Sequence, residues 1–192
     1  MPKNVLHKIP NIAEGEKIIS DLLKWLNISI NDSTKDTPAR VAKMYVNDLM
    51  KGLYIDAPPI KTFKEKNTGY VCVTDIYFTS LCEHHLLPFI GKCGIVYFPK
   101  SSVIGISKIP RIVDYWSSRP QLQERLTNQI AEDIMKRLKP YGVYVAMSAE
   151  HLCSTIRGIK ARGCITNTAQ MLGDIDKGEA IELLSVKSFL KD

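Results

Sequence analysis

Four consecutive positions, Cys82, Glu83, His84 and His85, place a thiol, a carboxylate and two imidazoles inside the otherwise apolar run "LCEHHLLPF". Zinc prefers thiolate and imidazole ligands, and a Cys-x-x-His pair on a tight turn presents both to one ion, which makes Cys82 and His85 a candidate half-site. An isolated pair of this kind is as readily a small buried thiol beside histidines packed against Phe89. A second cluster, "AEHLCSTIRG", changes the balance. Residues two apart in a strand face the same side, which would turn His151 and Cys153 toward one space. Three of the four histidines and two of the five cysteines therefore fall in two short segments, a concentration that chance scattering rarely produces.

Cys82, His85 and Cys153 make three protein ligands, whereas a structural zinc site normally has four. A fourth position open to water is the mark of a catalytic centre, where the ion brings the pKa of its water toward neutrality. His84 and His151 are then unliganded imidazoles suited to proton transfer, with ordinary pKa values of ~6.5. If His151 is instead a fourth ligand, the site is closed and structural; spacing alone allows both.

Between the clusters, "GISKIPRIVDYW" places Ser107 where a strand gives way to a helix, with Lys108, Pro110 in the first turn and Arg111 just inside. Free amides at a helix start together with two cations suit a phosphate. Arg157, four residues past Cys153, approaches from the metal side, and Arg40 and Lys43, three apart on a helix, form another basic pair. Gln123 and Glu124 open a long helix. A carboxylate there can accept from the N1–H and 2-amino group of a guanine, or it simply complements the helix dipole. Each of these charges taken alone is ordinary on a solvated surface.

The elements that must position these groups follow from periodicity. "NIAEGEKIISDLLKWLN" carries Ile12, Ile19, Leu22, Leu23 and Leu26 on one helical face, with Asn11 and Glu14 spaced as a capping box. Asp36, Thr37 and Pro38 read as a cap and first-turn proline for a second helix with Val41, Met44, Tyr45 and Leu49 on its apolar stripe. The polar stretch "IDAPPIKTFKEKNTG" separates this helical arm, residues 1–60, from a catalytic domain over 61–192. "YVCVTDIYFTS" and "IGKCGIVYFP" read as strands. "RPQLQERLTNQIAEDIMKRLKP" spaces Leu122, Leu126, Ile130, Ile134 and Leu138 at steps of four, a long amphipathic helix ended by Pro140. "GVYVAMSAEHLC" returns to alternation, and "ARGCITNTAQML" is a weaker strand. Two helices, two strands, two helices and two strands give an α+β class with an antiparallel sheet and helices on one side.

A chain of 192 residues with 45% hydrophobic content is long enough for one well-buried domain. The balance of 26 Lys and Arg against 20 Asp and Glu, a formal charge of +6, suits an anionic ligand without choosing between a phosphate and a nucleic acid. No apolar run approaches the ~20 residues that cross a membrane, and "MPKNVLHKIP" lacks the apolar stretch of a secretory signal. Five sparse cysteines argue against a disulfide framework. The expectation is a soluble cytoplasmic protein with no membrane partner.

Five blocks in order, "TPARVAKMY", "CEHHLLPF", "IGISKIPRIV", "RPQLQERLT" and "EHLCSTIRG", resemble the metal-dependent type of GTP cyclohydrolase I over residues 36 to 173. The resemblance implies a tunnelling fold, an antiparallel sheet with helices on one face plus an N-terminal helical arm, assembled into a toroidal homodecamer with active sites at subunit junctions. It implies hydrolysis of GTP to 7,8-dihydroneopterin triphosphate and formate, with Zn²⁺ on Cys82, His85 and Cys153 and proton transfer by His84 and His151. It assigns guanine binding to Glu124 with Gln123 beside it, triphosphate contacts to Ser107, Lys108, Arg111 and Arg157, and a contribution of Arg40 and Lys43 to a neighbour's site. The sequence departs from many relatives at Gly94, where histidine is frequent, and after Gly173, where "GDIDKGEA" replaces a glycine closely followed by phenylalanine. Two rival classes fit less well. A nucleic-acid module with structural zinc lacks interleaved surface aromatics, and a nucleobase deaminase would show H-x-E and P-C-x-x-C.

Overall fold

In the computed structural model, residues 6–65 and 69–185 are described; parts of the N-terminal stretch, of the polar separator and of the C-terminal segment fall outside them. The chain divides into two units, Met1–Asp56 and Ala57–Asp192.

In the first unit, α1 (Ile12–Trp25) begins where the Asn11 side chain accepts from the Ala13 amide at 2.9 Å, as an N-cap should. α2 (Thr37–Met44) follows Asp36, with Pro38 in its first turn. Asp36 makes no capping bond and accepts instead from the Arg40 guanidinium at 3.3 Å. The stripe expected on this helix runs on through a π-helical turn, Tyr45–Leu49. Gly15 lets the two helices approach: a Cβ there would lie 3.1 Å from that of buried Ala42. On the outer side of α1, Ile18, Leu22 and Trp25 remain exposed, Trp25 by 77%.

In the second unit, β1 (Thr62–Lys64) pairs with β4 (Ser102–Ile104), so the expected separator carries a short strand. The main sheet consists of β2 (Val71–Cys82), β3 (Pro88–Phe98), β5 (Pro120–Gln121), β6 (Gly142–His151) and β7 (Ile165–Gly173), in the order β5-β2-β3-β6-β7. All neighbours are antiparallel except β5, which runs parallel to β2. Alternation sends Phe78, Phe89, Cys93, Ile95, Val143, Val145 and Met147 to one face, where they are buried. That face is covered by α3 (Lys108–Ser117), through Ile109, Ile112 and Val113, and by α4 (Gln123–Leu138), through Leu126, Ile130 and Ile134. Trp116 of α3 donates to Asp133 of α4 at 3.0 Å, which ties the two helices together, and Arg137 of α4 donates to the same carboxylate at 2.6 Å. α4 stops at Lys139 in the left-handed conformation, just before Pro140.

Two short helices add to the expected order. α5 (Leu152–Thr155) follows β6 directly, so Cys153 lies on a helical turn and not on a continued strand. α6 (Lys177–Ser185) occupies the segment after Gly173 and packs where Gly94 leaves room, on the sheet face opposite α3 and α4. A Cβ on Gly94 would come within 2.9 Å of Leu184, and Ala180 of α6 is fully buried.

Candidate metal centre and active site

The β2–β3 hairpin builds the first half of the site. Cys82 closes β2; its amide donates to the Leu87 carbonyl at 2.8 Å, and its carbonyl accepts from Leu86 at 2.8 Å and His85 at 3.3 Å. Leu86 takes a positive φ of 53°, the strained residue that turns the chain back. The result sets Cys82 and His85 on one side of a tight turn. A second anchor is the ion pair of Glu83 with Arg125 of α4, two bonds of 2.6 and 3.0 Å, and the guanidinium holds the Glu83 carboxyl below its usual pKa range. The Glu83 amide also donates to the carbonyl of Gln121 in β5 at 3.1 Å.

The second half comes from the end of β6. Cross-strand register pairs His151 with Phe89, and the two rings stack in parallel with centroids 4.6 Å apart. Beyond His151 the chain enters α5, which swings Cys153 toward Cys82. The expectation that strand alternation aligns His151 with Cys153 is therefore corrected: the strand ends at His151, and the helical turn carries Cys153 into a cluster with Cys82 and His85 while His151 bonds Gln123.

Cys82, His85 and Cys153 bring their donor atoms within 4.8 Å of one another, and among the described residues no other His, Cys, Asp or Glu joins them. Cys82 Sγ lies 3.9 Å from His85 Nδ1. Ligands on a tetrahedral zinc with metal–sulfur and metal–nitrogen bonds of ~2.3 and ~2.0 Å stand roughly 3.3–3.8 Å apart. The gap thus closes with a small rotation. His84 Nδ1 is 3.7 Å from the same sulfur, so both imidazoles of the turn flank Cys82, but only His85 also reaches Cys153. Burial, and then the adjacent Cys82 sulfur, push the Cys153 thiol above its usual range, while the charge of Arg157 pulls it down. A bound cation relieves the cost of ionising the Cys153 thiol beside a second sulfur. The donor set fits zinc.

His151 stands outside the cluster, its Nε2 bonded to Gln123 Oε1 at 2.8 Å. Burial lowers its pKa below the ordinary histidine value, against an opposing pull from the Glu124 carboxylate. Glu124 is exposed in the first turn of α4. Gln123 beside it is only 1% exposed and its amide is turned inward, contrary to the expectation of a substrate contact by that side chain. Ser107, Lys108 and Arg111 share the start of α3, but the amides of Lys108 and Ile109 already donate to Gly105 and Ile106 at 2.8 and 3.2 Å, and Pro110 has no N–H. An anion there would be held by side chains, not by the free amides expected. Arg157 is exposed, and its charge is felt at Cys153. Arg40 and Lys43 are exposed on α2 of the first unit. Of the remaining thiols, buried Cys93 is pushed up to about 12 and belongs to the core.

Two contributors escaped the sequence reading. Arg125 is 42 residues from its partner Glu83, and no local pattern marks that pair. The stacking of Phe89 on His151 was accessible in principle from the register of β3 against β6.

The family model described as GTP cyclohydrolase I matches residues 15–188. A protein named GTP cyclohydrolase 1 from Desulforamulus reducens is 44% identical over 185 residues, covering 94% of this chain and 98% of its own. One of the same name from Streptococcus agalactiae is 45% identical over 184 residues, covering 93% and 98%. A solved structure described as archaeosine synthase QueF-Like in the apo form overlays 58% of this chain and 100% of its own at a TM-score of 0.48 and 18% identity.

Proposed function

The chain belongs to the GTP cyclohydrolase I family, and from that premise we propose that the Cys82, His85 and Cys153 cluster is the zinc centre at which it hydrolyses GTP to 7,8-dihydroneopterin triphosphate and formate. The observation that carries the reading is the convergence of two thiols and one imidazole, from two distant segments, within 4.8 Å. Cys82, His85 and Cys153 would hold the ion, and three ligands leave a tetrahedral ion one open position. When bound, zinc supplies Lewis acidity toward water at neutral pH.

Opening the guanine imidazole ring needs an oxygen nucleophile at C8 and a proton at N7. His151 gives that proton, because it stands next to the cluster without being consumed by it. His84, exposed beside Cys82, serves the later proton transfers as C8 leaves as formate and the ribose rearranges. Glu124 accepts from guanine N1–H and the 2-amino group. Ser107, Lys108, Arg111 and Arg157 hold the triphosphate, which the chain's excess of positive charge also favours.

Assembly belongs to the same reading. β7 is an outer strand of the sheet and α1 exposes Ile18, Leu22 and Trp25, so a strand edge and an apolar stripe both offer surface for other copies. These surfaces are available to the homodecamer that the family resemblance implies, in which Arg40 and Lys43 would complete a neighbour's site. Five cysteines without a disulfide suit the cytoplasm; among the described residues, no helix is long and apolar enough to cross a membrane.

Replacing Cys153 with Ser tests the centre. Zinc content and pterin fluorescence from GTP should both collapse while the circular dichroism of the fold persists. Full zinc occupancy in that variant would remove Cys153 from the ligand set.

A further inference from the structure

Gln123 is the first residue of α4, and its side-chain amide is fully engaged inside the protein. Its Nε2 lies 3.0 Å from the Thr166 carbonyl, 3.3 Å from the Met147 carbonyl and 3.1 Å from Thr168 Oγ1. Two of these partners are carbonyl oxygens, which only accept, so this end of the amide must be the NH₂ group.

The third partner agrees independently. Thr127 Oγ1 donates to the main-chain carbonyl of Gln123 at 2.8 Å, which leaves its oxygen to accept from Thr168 Oγ1 at 2.6 Å. Thr168, having given its only hydroxyl proton to Thr127, accepts from Gln123. Every proton in this closed ring of bonds has one direction, and the amide cannot be reversed without setting NH₂ against His151 and an oxygen against two carbonyls.

Gln123 Oε1 therefore faces His151 Nε2 at 2.8 Å as an acceptor, and Nε2 must carry a hydrogen. A ring flipped by half a turn would present Cε1–H to that oxygen and lose the bond. Stacking on Phe89, itself fully buried, holds the ring plane.

We propose that Gln123 is a positioning residue that fixes His151 as its Nε2–H tautomer, so that Nδ1 is the ring atom that exchanges a proton with the substrate. This rests on the reading of His151 as the proton donor. In the donor form both ring nitrogens bear hydrogen; Nε2–H stays on Gln123 while the Nδ1 proton passes to guanine N7, and the ring returns to the neutral tautomer that Gln123 selects.

Magic-angle-spinning NMR of the zinc-loaded protein, labelled with ¹⁵N-histidine and measured at alkaline pH where imidazoles are neutral, reads the tautomer directly, with His151→Asn assigning the signals. Protonated Nε2 and bare Nδ1 are expected at His151; the opposite tautomer overturns the proposal, and this measurement needs no change at Gln123. In kinetics, Gln123→Met should lower kcat about 10- to 100-fold, the range for removing an outer-shell partner, with zinc content and GTP Kd unchanged. Added to His151→Asn it should cost nothing further. Wild-type kcat in Gln123→Met, or an equal loss in both backgrounds, overturns the positioning role. If His151→Asn alone turns over normally, His151 is not the donor, a failure visible apart from the tautomer measured by NMR.

Discussion

At the scale of single residues, the proposed function would divide the work within three consecutive positions of the chain, Cys153 holding the metal and His151 moving the proton. His151 ends a strand, stacked on Phe89 and bonded to Gln123, while Cys153 sits on the next helical turn and faces Cys82. His151→Ala should accordingly keep its zinc and still bind GTP, yet lose turnover by roughly 10²–10⁴-fold, as expected of a positioned acid. Zinc analysis, GTP binding and formate release on one preparation decide it, and loss of zinc would make His151 a ligand. The three donors that converge, Cys82, His85 and Cys153, and the two histidines beside them, His84 and His151, were singled out by residue type and spacing. What spacing did not reveal was the path of the chain after His151: alternation extrapolates a strand past its end, and nothing local in "HLCST" announces the helical turn that separates the two residues.

At the scale of elements, the hairpin turn that carries Cys82 and His85 is held by α4 through Glu83 and Arg125. The pair is partly exposed, so its removal should cost the fold only about 0–1 kcal/mol. Its effect on the metal should be larger, because it orients the ligand turn. Arg125→Ala is expected to weaken zinc about 10- to 100-fold in a chelator competition, with little change in Tm; unchanged zinc affinity would reduce the pair to surface electrostatics. The strands and α4 were legible because their apolar residues recur at periods of two and nearly four. α6 was not, since its one fully buried residue is Ala180 and its place on the sheet depends on the space above Gly94. Gly94→Ala would meet the flexible end of Leu184 and should cost no more than the ~1–3 kcal/mol typical of an extra methyl in a packed site. Gly94→His needs the space that α6 fills, and hydrogen exchange over residues 177–185 should rise sharply in that variant.

At the scale of the whole molecule, the reading of Arg40 and Lys43 as groups lent to a neighbour makes a prediction about mixtures. Arg40→Ala and His151→Ala subunits, each inactive alone, should recover activity in verified mixed oligomers, since some sites receive both intact halves. Absence of rescue would place each site within one chain. Neither assembly nor its order was legible from pattern; the exposed stripe of α1 and the outer strand β7 show only that surface is available for it. The contact between Gly94 and Leu184 also bears on chimaeras. The space at position 94 and the helix that occupies it depend on each other: a side chain added at 94 meets Leu184, and without α6 that face of β3 loses its cover. A hybrid that joins this C-terminal segment to a sheet carrying a bulky residue at that position inherits the conflict.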